Sequence, residues 1–223
     1  MANKSVIITA GGFGKRMDSD LPKQFLTLGS KPILMHTIEL FYHFDNNIEI
    51  LLTLPSEWKG YWETLVDKHY FRIPHLVVNG GNERFFSIKN ALKKVTGEVV
   101  AVHDGVRPFT SGEVIKKCFQ ALEKHRAVVP AVNLKESLRW ITENKNIAVN
   151  RSEYKLIQTP QCFHTELLKE VYEQPFDETI TDDASLAERK NIPIHILEGN
   201  EENIKITTRL DMLIAETLLN RRK

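Results

Sequence analysis

The 223-residue sequence predicts an α/β fold in which a mostly parallel, twisted sheet is flanked by helices. Short apolar runs rich in Val, Ile and Leu alternate with helix-length amphipathic segments through the first two-thirds of the chain. The runs are nearly continuous rather than alternating with polar residues, as strands buried on both faces are. After residue 132 the rhythm breaks into short extended pieces, which predicts a small β-arm at about 133–156.

Taken in order, Ser5–Ala10, Ile48–Leu54, His75–Asn79, Glu98–His103 and Arg126–Val132 are predicted strands bounded by Gly, Pro or Asn. Between them Pro32–Tyr42, Glu57–His69, Glu83–Lys94 and Gly112–Lys124 carry apolar residues at helical spacing, as Ile33, Leu34, Thr37, Ile38 and Phe41 do. The arm comprises extended candidates at Glu136–Thr142, Asn146–Asn150 and Lys155–Gln158, separated by turn-prone Glu143-Asn144-Lys145-Asn146 and Arg151-Ser152. Helices are predicted again at His164–Glu173, Asp182–Lys190 and Arg209–Asn220, with strands at Ile194–Leu197 and Asn203–Ile206. No repeat or long linker divides the chain, so one domain over residues 1–223 is expected.

Hydrophobic residues at 42% and charged residues at 26% exclude disordered, collagenous and rod-like classes. Thirty Lys and Arg nearly cancel 29 Asp and Glu, leaving no broad positive field for nucleic acid or an anionic membrane. An anionic ligand must then be met by local charge. The apolar stretch Ser5–Ala10 is too short for a signal core or a membrane span, and a cytoplasmic location is expected. Cys118 and Cys162 stand far apart without metal-ligand spacing, which fits two buried free thiols.

The first strand runs into Gly11-Gly12-Phe13-Gly14-Lys15-Arg16. Glycines permit positive φ and close backbone approach, so main-chain N–H groups can point at phosphate oxygens. Arg16 adds a planar fork of donors and Lys23, in Leu21-Pro22-Lys23-Gln24-Phe25, adds a compact second cation. The spacing is neither that of a dinucleotide GxGxxG turn nor that of a Walker A loop. The glycines alone fit a plain strand-to-helix turn equally well; with Arg16 and Lys23 they favour a phosphate site.

The run Ala10–Met17 followed by Leu21-Pro22-Lys23-Gln24-Phe25-Leu26 resembles the signature of sugar-phosphate and alditol-phosphate nucleotidyltransferases. Its Pro-Lys-Gln step is similar to that of the 2-C-methyl-D-erythritol 4-phosphate cytidylyltransferase family. Further segments match in the same order, from Val6 to about Leu213. The resemblance implies a Rossmann-like sheet of the nucleotide-diphospho-sugar transferase type. It also implies that Ala10, Gly11, Gly12 and Gly14 bind the nucleotide while Arg16, Lys23 and Lys205 act on its phosphates.

Gly80-Gly81-Asn82-Glu83-Arg84-Phe85-Phe86-Ser87 resembles the family's base-recognition loop, which implies pyrimidine contacts from Gly81, Asn82 and Ser87. The family more often has Asp where Asn82 stands. Val102-His103-Asp104-Gly105-Val106-Arg107-Pro108-Phe109 ends a predicted strand, where ligands collect in open α/β sheets. The resemblance gives Asp104 a role toward nucleotide and acceptor and brings Gly105 to the acceptor. Without it, Asp104 and Arg107 are equally a structural ion pair, and His103 is expected to serve packing. Ser137 and Arg151 correspond to family positions that bind the acceptor phosphate, often across a dimer interface. Thr159, in Gln158-Thr159-Pro160-Gln161, and Thr181, in Thr179-Ile180-Thr181-Asp182-Asp183, match segments lining the acceptor site. Thr181 equally suits the N-cap of the helix predicted near Asp182. Glu198–Thr207 is like the family's Asn-Ile-Lys-Val/Ile-Thr element, which places Lys205 at the phosphates.

The substrates implied are CTP and a polyol phosphate, 2-C-methyl-D-erythritol 4-phosphate, with Mg²⁺ bound mainly through CTP phosphates and a homodimer as the assembly. Ribitol 5-phosphate is the alternative acceptor. A nucleotide-binding domain without turnover is the remoter reading, disfavoured because all three cations are present.

Overall fold

The computed structural model describes residues 3–11 and 21–221. Strand β1 (Lys4–Thr9) leads the chain, followed by a 3₁₀ turn at Lys23–Phe25 and a two-residue ribbon, β2 (Thr27–Leu28) with β3 (Lys31–Pro32). There follow α1 (Ile33–Phe44), β4 (Glu49–Leu54), α2 (Lys59–Lys68), β5 (Leu76–Asn79), α3 (Arg84–Leu92), β6 (Val99–Asp104), α4 (Gly112–Ala121) and β7 (Ala127–Asn133). The remainder comprises β8 (Leu138–Thr142), β9 (Lys145–Val149), β10 (Lys155–Ile157), β11 (Gln161–His164), α5 (Thr165–Val171), α6 (Asp183–Glu188), β12 (His195–Glu198) and α7 (Arg209–Asn220).

Eight strands form the main sheet in the order β10-β7-β11-β6-β1-β4-β5, with β12 also on β7. Pairs β1–β4, β1–β6, β4–β5 and β7–β12 are parallel, whereas β11 is antiparallel to both β6 and β7. Val128 pairs with both Cys162 and His195, and Ala131 with both Ile157 and Glu198. Strands β10 and β11 therefore run along one side of β7, with β12 on the other.

Strand side chains alternate between faces, and both faces are covered. Val6, Ile8, Ile50, Leu52 and Ala101 pack with Leu34, Ile38 and Phe41 of α1, Trp62 of α2 and Ile115 of α4. On the opposite face Ile7, Leu51, Val100 and Val102 pack with Phe85 and Ile88 of α3, Leu168 of α5 and Leu186 of α6. A third cluster, including Leu28, Ile33, Phe109, Ile206 and Ala215, seats α7. Helix α4 is capped by Ser111 through Val114 N–H, and α7 by a capping box between Thr208 and Asp211.

Several features depart from the sequence-based expectation: Lys155–Ile157, expected in the arm, instead pairs with β7 in the main sheet, and the β2–β3 ribbon was not expected. Asn203–Ile206 is not a strand: Asn203 N–H bonds the Asn200 carbonyl in a turn, the Asn203 carbonyl accepts from Arg107 Nη1, and Ile206 N–H bonds the Val106 carbonyl. One side-chain bond and two isolated backbone bonds thus take the place of a ladder. Strand β11 was not predicted, because four residues after Pro160 are too few to show a period. The N-cap of α6 is Asp182, not Thr181; its carboxylate accepts from Ser185 N–H at 2.9 Å in a capping box. Within the segment 133–156, β8 and β9 form an antiparallel hairpin that exposes Trp140, Ile141 and Ile147.

Candidate active site

The chain passes from β1 through β4 to β5 in one direction, then returns through β6 to the other side of β1. Strand order thus reverses beside β1, and ligands of such sheets bind outside the strand carboxyl ends at that point. Thr9 and Asp104, the last residues of β1 and β6, are register partners there. A cavity of about 250 Å³ opens above them. Thr9, Ala10 and Gly11 line it from β1, Lys23 and Gln24 from the following turn, Gly81–Arg84 and Ser87 from the loop into α3, Asp104 and Val106 from β6, and Lys205 from the α7 approach.

Its floor is fixed by backbone contacts. Gly105 N–H bonds the Thr9 carbonyl at 2.9 Å, and a Cβ on Gly105 would lie 3.0 Å from that carbonyl oxygen and 3.1 Å from Leu34 Cδ1. The absence of a side chain lets β1 and β6 turn outward together. Buried Gln24 donates from Nε2 to the Ala10 carbonyl at 2.7 Å, tying the Lys23 turn to the start of the glycine loop.

The loop before α3 is built around one hydroxyl. Ser87 Oγ accepts from Gly81 N–H at 3.0 Å and donates to the Glu83 carbonyl at 3.1 Å. A Cβ on Gly81 would lie 2.3 Å from Phe86 Cβ, so glycine is required for this close approach. Ser87 is buried, and a Cβ on Gly11 would stand 3.9 Å from its hydroxyl, which brings the two glycine loops together.

Charge in the cavity is concentrated on Asp104. Its Oδ2 lies 3.1 Å from Lys205 Nζ and accepts from Arg107 Nε at 3.0 Å. Burial alone would raise the Asp104 pKa, but Lys205, Arg84 and Arg107 outweigh it and hold the carboxyl well below the usual carboxylate range. Arg84 forms a bidentate pair with buried Asp183, at 3.0 Å and 2.6 Å, and Tyr172 Oη also donates to Asp183. Burial works against the Arg84 charge, yet Asp183 raises its pKa above the usual arginine value. Lys23, Arg84 and Lys205 thus face a cavity whose acidic lining residues are Glu83 and Asp104. With their partners counted, Lys23, Arg84, Arg107 and Lys205 stand against Glu83, Asp104 and Asp183, a surplus of one positive charge among the described residues, which suits an anionic ligand.

Of the residues expected from sequence, Ala10, Gly11, Lys23, Gly81, Asn82, Ser87, Asp104 and Lys205 converge here, with Gly105 beneath. Gly12, Gly14 and Arg16 lie outside the described residues. Thr159 is buried next to Asp104 and does not line the cavity; its hydroxyl oxygen accepts from Asp104 N–H at 3.1 Å. Ser137 and Arg151 are exposed at the base of the hairpin, where Arg151 Nη1 donates to the Lys135 carbonyl. Thr181 does not line this cavity but an adjoining hollow, with Tyr172, Phe176 and Ile180, that shares Glu83 and Arg84 with it. Arg107 braces Asp104 and the Asn203 carbonyl, in keeping with the structural reading of its side chain. Sequence reasoning passed over Gln24 and Arg84, although both sit inside the motifs it used.

The family model for 2-C-methyl-D-erythritol 4-phosphate cytidylyltransferase matches residues 5–221. The chain belongs to this family. A relative of that name from Bacteroides thetaiotaomicron is 52% identical over 217 residues, covering 97% of this chain and 99% of its own. Another, from Porphyromonas gingivalis, is 48% identical and covers 96% of each chain. The crystal structure of 4-diphosphocytidyl-2C-methyl-D-erythritol synthase from Anaerococcus prevotii superposes with a TM-score of 0.84 at 30% identity, covering 98% of this chain and 96% of that one. The Thermus thermophilus cytidylyltransferase structure gives a TM-score of 0.80 at 28% identity over 98% and 99%. Membership of the cytidylyltransferase family agrees with the mostly parallel sheet and with a cation-lined cavity at its switch point.

Proposed function

We propose that this protein transfers the cytidylyl group of CTP to 2-C-methyl-D-erythritol 4-phosphate, forming 4-diphosphocytidyl-2-C-methyl-D-erythritol and pyrophosphate. The observation that carries the proposal is the convergence of Lys23, Lys205 and Asp104 with the Gly81–Ser87 loop over β1 and β6, in a chain of this family. An oxygen of the acceptor phosphate attacks the α-phosphorus, a P–O bond forms, and the bond to the pyrophosphate oxygen breaks. That oxygen is already anionic, so catalysis consists of alignment and charge neutralisation rather than deprotonation. Lys23 and Lys205 offset charge gathering on the α-phosphate and leaving group. The Gly81–Ser87 loop receives the cytosine edge.

Magnesium belongs to the same proposal. The ion would be held chiefly by triphosphate oxygens and water. When bound there, it would supply further neutralisation of phosphate charge. Ser137 and Arg151 stand on the exposed arm, and a homodimer in which a second copy's arm reaches the cavity would bring their hydroxyl and guanidinium to the acceptor phosphate. The exposed Trp140, Ile141 and Ile147 of the hairpin support such an interface. A cytoplasmic setting is in keeping with the two free thiols, Cys118 and Cys162.

Incubation with CTP, magnesium and either 2-C-methyl-D-erythritol 4-phosphate or ribitol 5-phosphate, following pyrophosphate release, tests this reading. Release with the first acceptor is expected. Release with ribitol phosphate alone would overturn the acceptor assignment, and CTP binding without release from either would overturn the transferase assignment.

A further inference from the structure

Four hydrogen bonds close a ring at the end of β6. Asp104 N–H donates to Thr159 Oγ1 at 3.1 Å, and Thr159 Oγ1 lies 3.0 Å from His103 Nδ1. His103 Nε2 lies 3.1 Å from the Arg107 carbonyl, and Arg107 Nε returns to Asp104 Oδ2 at 3.0 Å. Proton positions follow from chemistry. A carbonyl only accepts, so Nε2 carries the imidazole hydrogen; burial lowers the His103 pKa to about 4, so the ring is neutral and Nδ1 accepts from the Thr159 hydroxyl. Every donor around the circuit then points the same way, and His103 and Thr159 are both buried.

The ring is joined to the segment carrying the site's second lysine. Arg107 Nη1 donates to the Asn203 carbonyl at 2.8 Å, and Asn203 Nδ2 donates to the Thr159 carbonyl at 2.8 Å. Lys205 follows two residues later, 3.1 Å from Asp104. The imidazole thus links the β6 end to Thr159, and Arg107 carries the connection on to the approach to α7.

We propose that His103 is a positioning residue for the reaction, setting the Asp104 carboxylate and through it the Lys205 ammonium by linking the Thr159 hydroxyl to the Arg107 carbonyl. Thr159 acts in the same ring rather than as a direct ligand of the acceptor. The inference rests on the proposed cytidylyl transfer and deepens it, assigning work to a histidine that touches neither substrate.

Two substitutions separate the two links of the imidazole. His103→Asn keeps an acceptor near the Nδ1 position and loses the donor to Arg107, whereas His103→Gln keeps a donor near Nε2 and loses the acceptor for Thr159. Each should lower kcat roughly 10- to 100-fold, the scale expected for misplaced catalytic groups, with the KM for CTP and acceptor changing far less. Thr159→Val should do the same, and Thr159→Ser should recover most of the kcat lost in Thr159→Val. Combining Thr159→Val with His103→Gln should cost no more than Thr159→Val alone, since the valine already removes the Thr159–His103 link that the glutamine cuts. The Thr159 pair decides the matter should the histidine variants fail to fold. Multiplying losses in the double variant, or a Thr159→Val effect confined to acceptor KM, would overturn the ring. An inactive wild-type protein would overturn the proposed function and this role together; an active one with unaltered His103 variants would overturn this role alone.

Discussion

Lys205 Nζ and Asp104 Oδ2 stand 3.1 Å apart at the carboxyl end of the β1–β6 pair, and the carboxylate that holds the lysine is itself held by Arg107. Asp104 is buried and Lys205 is 44% exposed at its side chain, so the pair presents the ammonium outward from a fixed base. Asp104→Asn keeps the shape and removes the charge. It should lower stability at pH 7 by about 2 kcal/mol, the scale of a lost charged hydrogen bond, and lower kcat more than the KM for CTP. Because the folded state holds Asp104 ionised, this contribution is present above the unfolded carboxylate value near 3.9 and is lost as pH falls through the lower folded value. Urea unfolding of both proteins at pH 7 checks the magnitude.

Lys23 enters the cavity from a turn pinned by the Gln24 bond to the Ala10 carbonyl. If it neutralises charge that develops only as the pyrophosphate departs, Lys23→Ala should lower kcat on the order of 10²-fold or more. Steady-state kinetics with saturating CTP provide the measurement, and an unaltered kcat would remove Lys23 from the transition state.

Arg151 lies on the exposed arm and is not among the residues lining the Asp104 cavity of its own chain. Arg151→Ala should therefore raise the acceptor KM while leaving CTP affinity near the wild-type value, since a bidentate cation for a phosphate monoester is removed and nothing beside the nucleotide changes. Titration of each substrate at a fixed level of the other separates the two effects. A change confined to CTP would refute the placement.

The sequence legibly carried what depends on local pattern. The strands β1, β4, β6 and β7 are apolar runs because both faces of the sheet are covered there, and the glycines at 81 and 105 announce close approach. It concealed what depends on distant partners. Ile204-Lys205-Ile206 alternates like a strand, but Arg107 and Val106 satisfy its backbone in place of a ladder. Arg84 and Asp183 are 99 residues apart, and nothing local in either segment marks the other as its partner. Thr159 matched a ligand position in the family pattern, whereas its hydroxyl is engaged inward by Asp104 and His103.

The Arg84–Asp183 pair ties the start of α3, and with it the Ser87 loop, to the start of α6. Asp183 is fully buried, so Arg84→Ala would leave its charge with Tyr172 as the remaining donor shown. The cost should be about 3 kcal/mol, at the low end for breaking a buried pair because Arg84 is 32% exposed at its side chain. Thermal unfolding would register it as a lowered Tm; a shift near zero would mean that Asp183 is compensated elsewhere.

His103 makes the pH dependence of stability specific to one residue. Its folded pKa of about 4 lies below the ordinary 6.5, so between those values the unfolded chain binds a proton that the folded one does not. Stability attributable to this residue is then complete above pH 6.5 and falls as pH drops toward 4, by about 3 kcal/mol in all. Burial also lowers the pKa values of His36 and His75, so the wild-type slope is a composite. Asp104 does not enter, because its window lies at lower pH. The comparison with His103→Gln isolates the term: between pH 7 and pH 4.5 the wild-type protein should lose about 2 to 3 kcal/mol more than the variant in urea unfolding. Parallel losses in the two proteins would show that the imidazole accepts its proton without breaking the ring, and would leave His36, His75 and His195, whose pKa values burial also lowers, to contribute to the acid sensitivity.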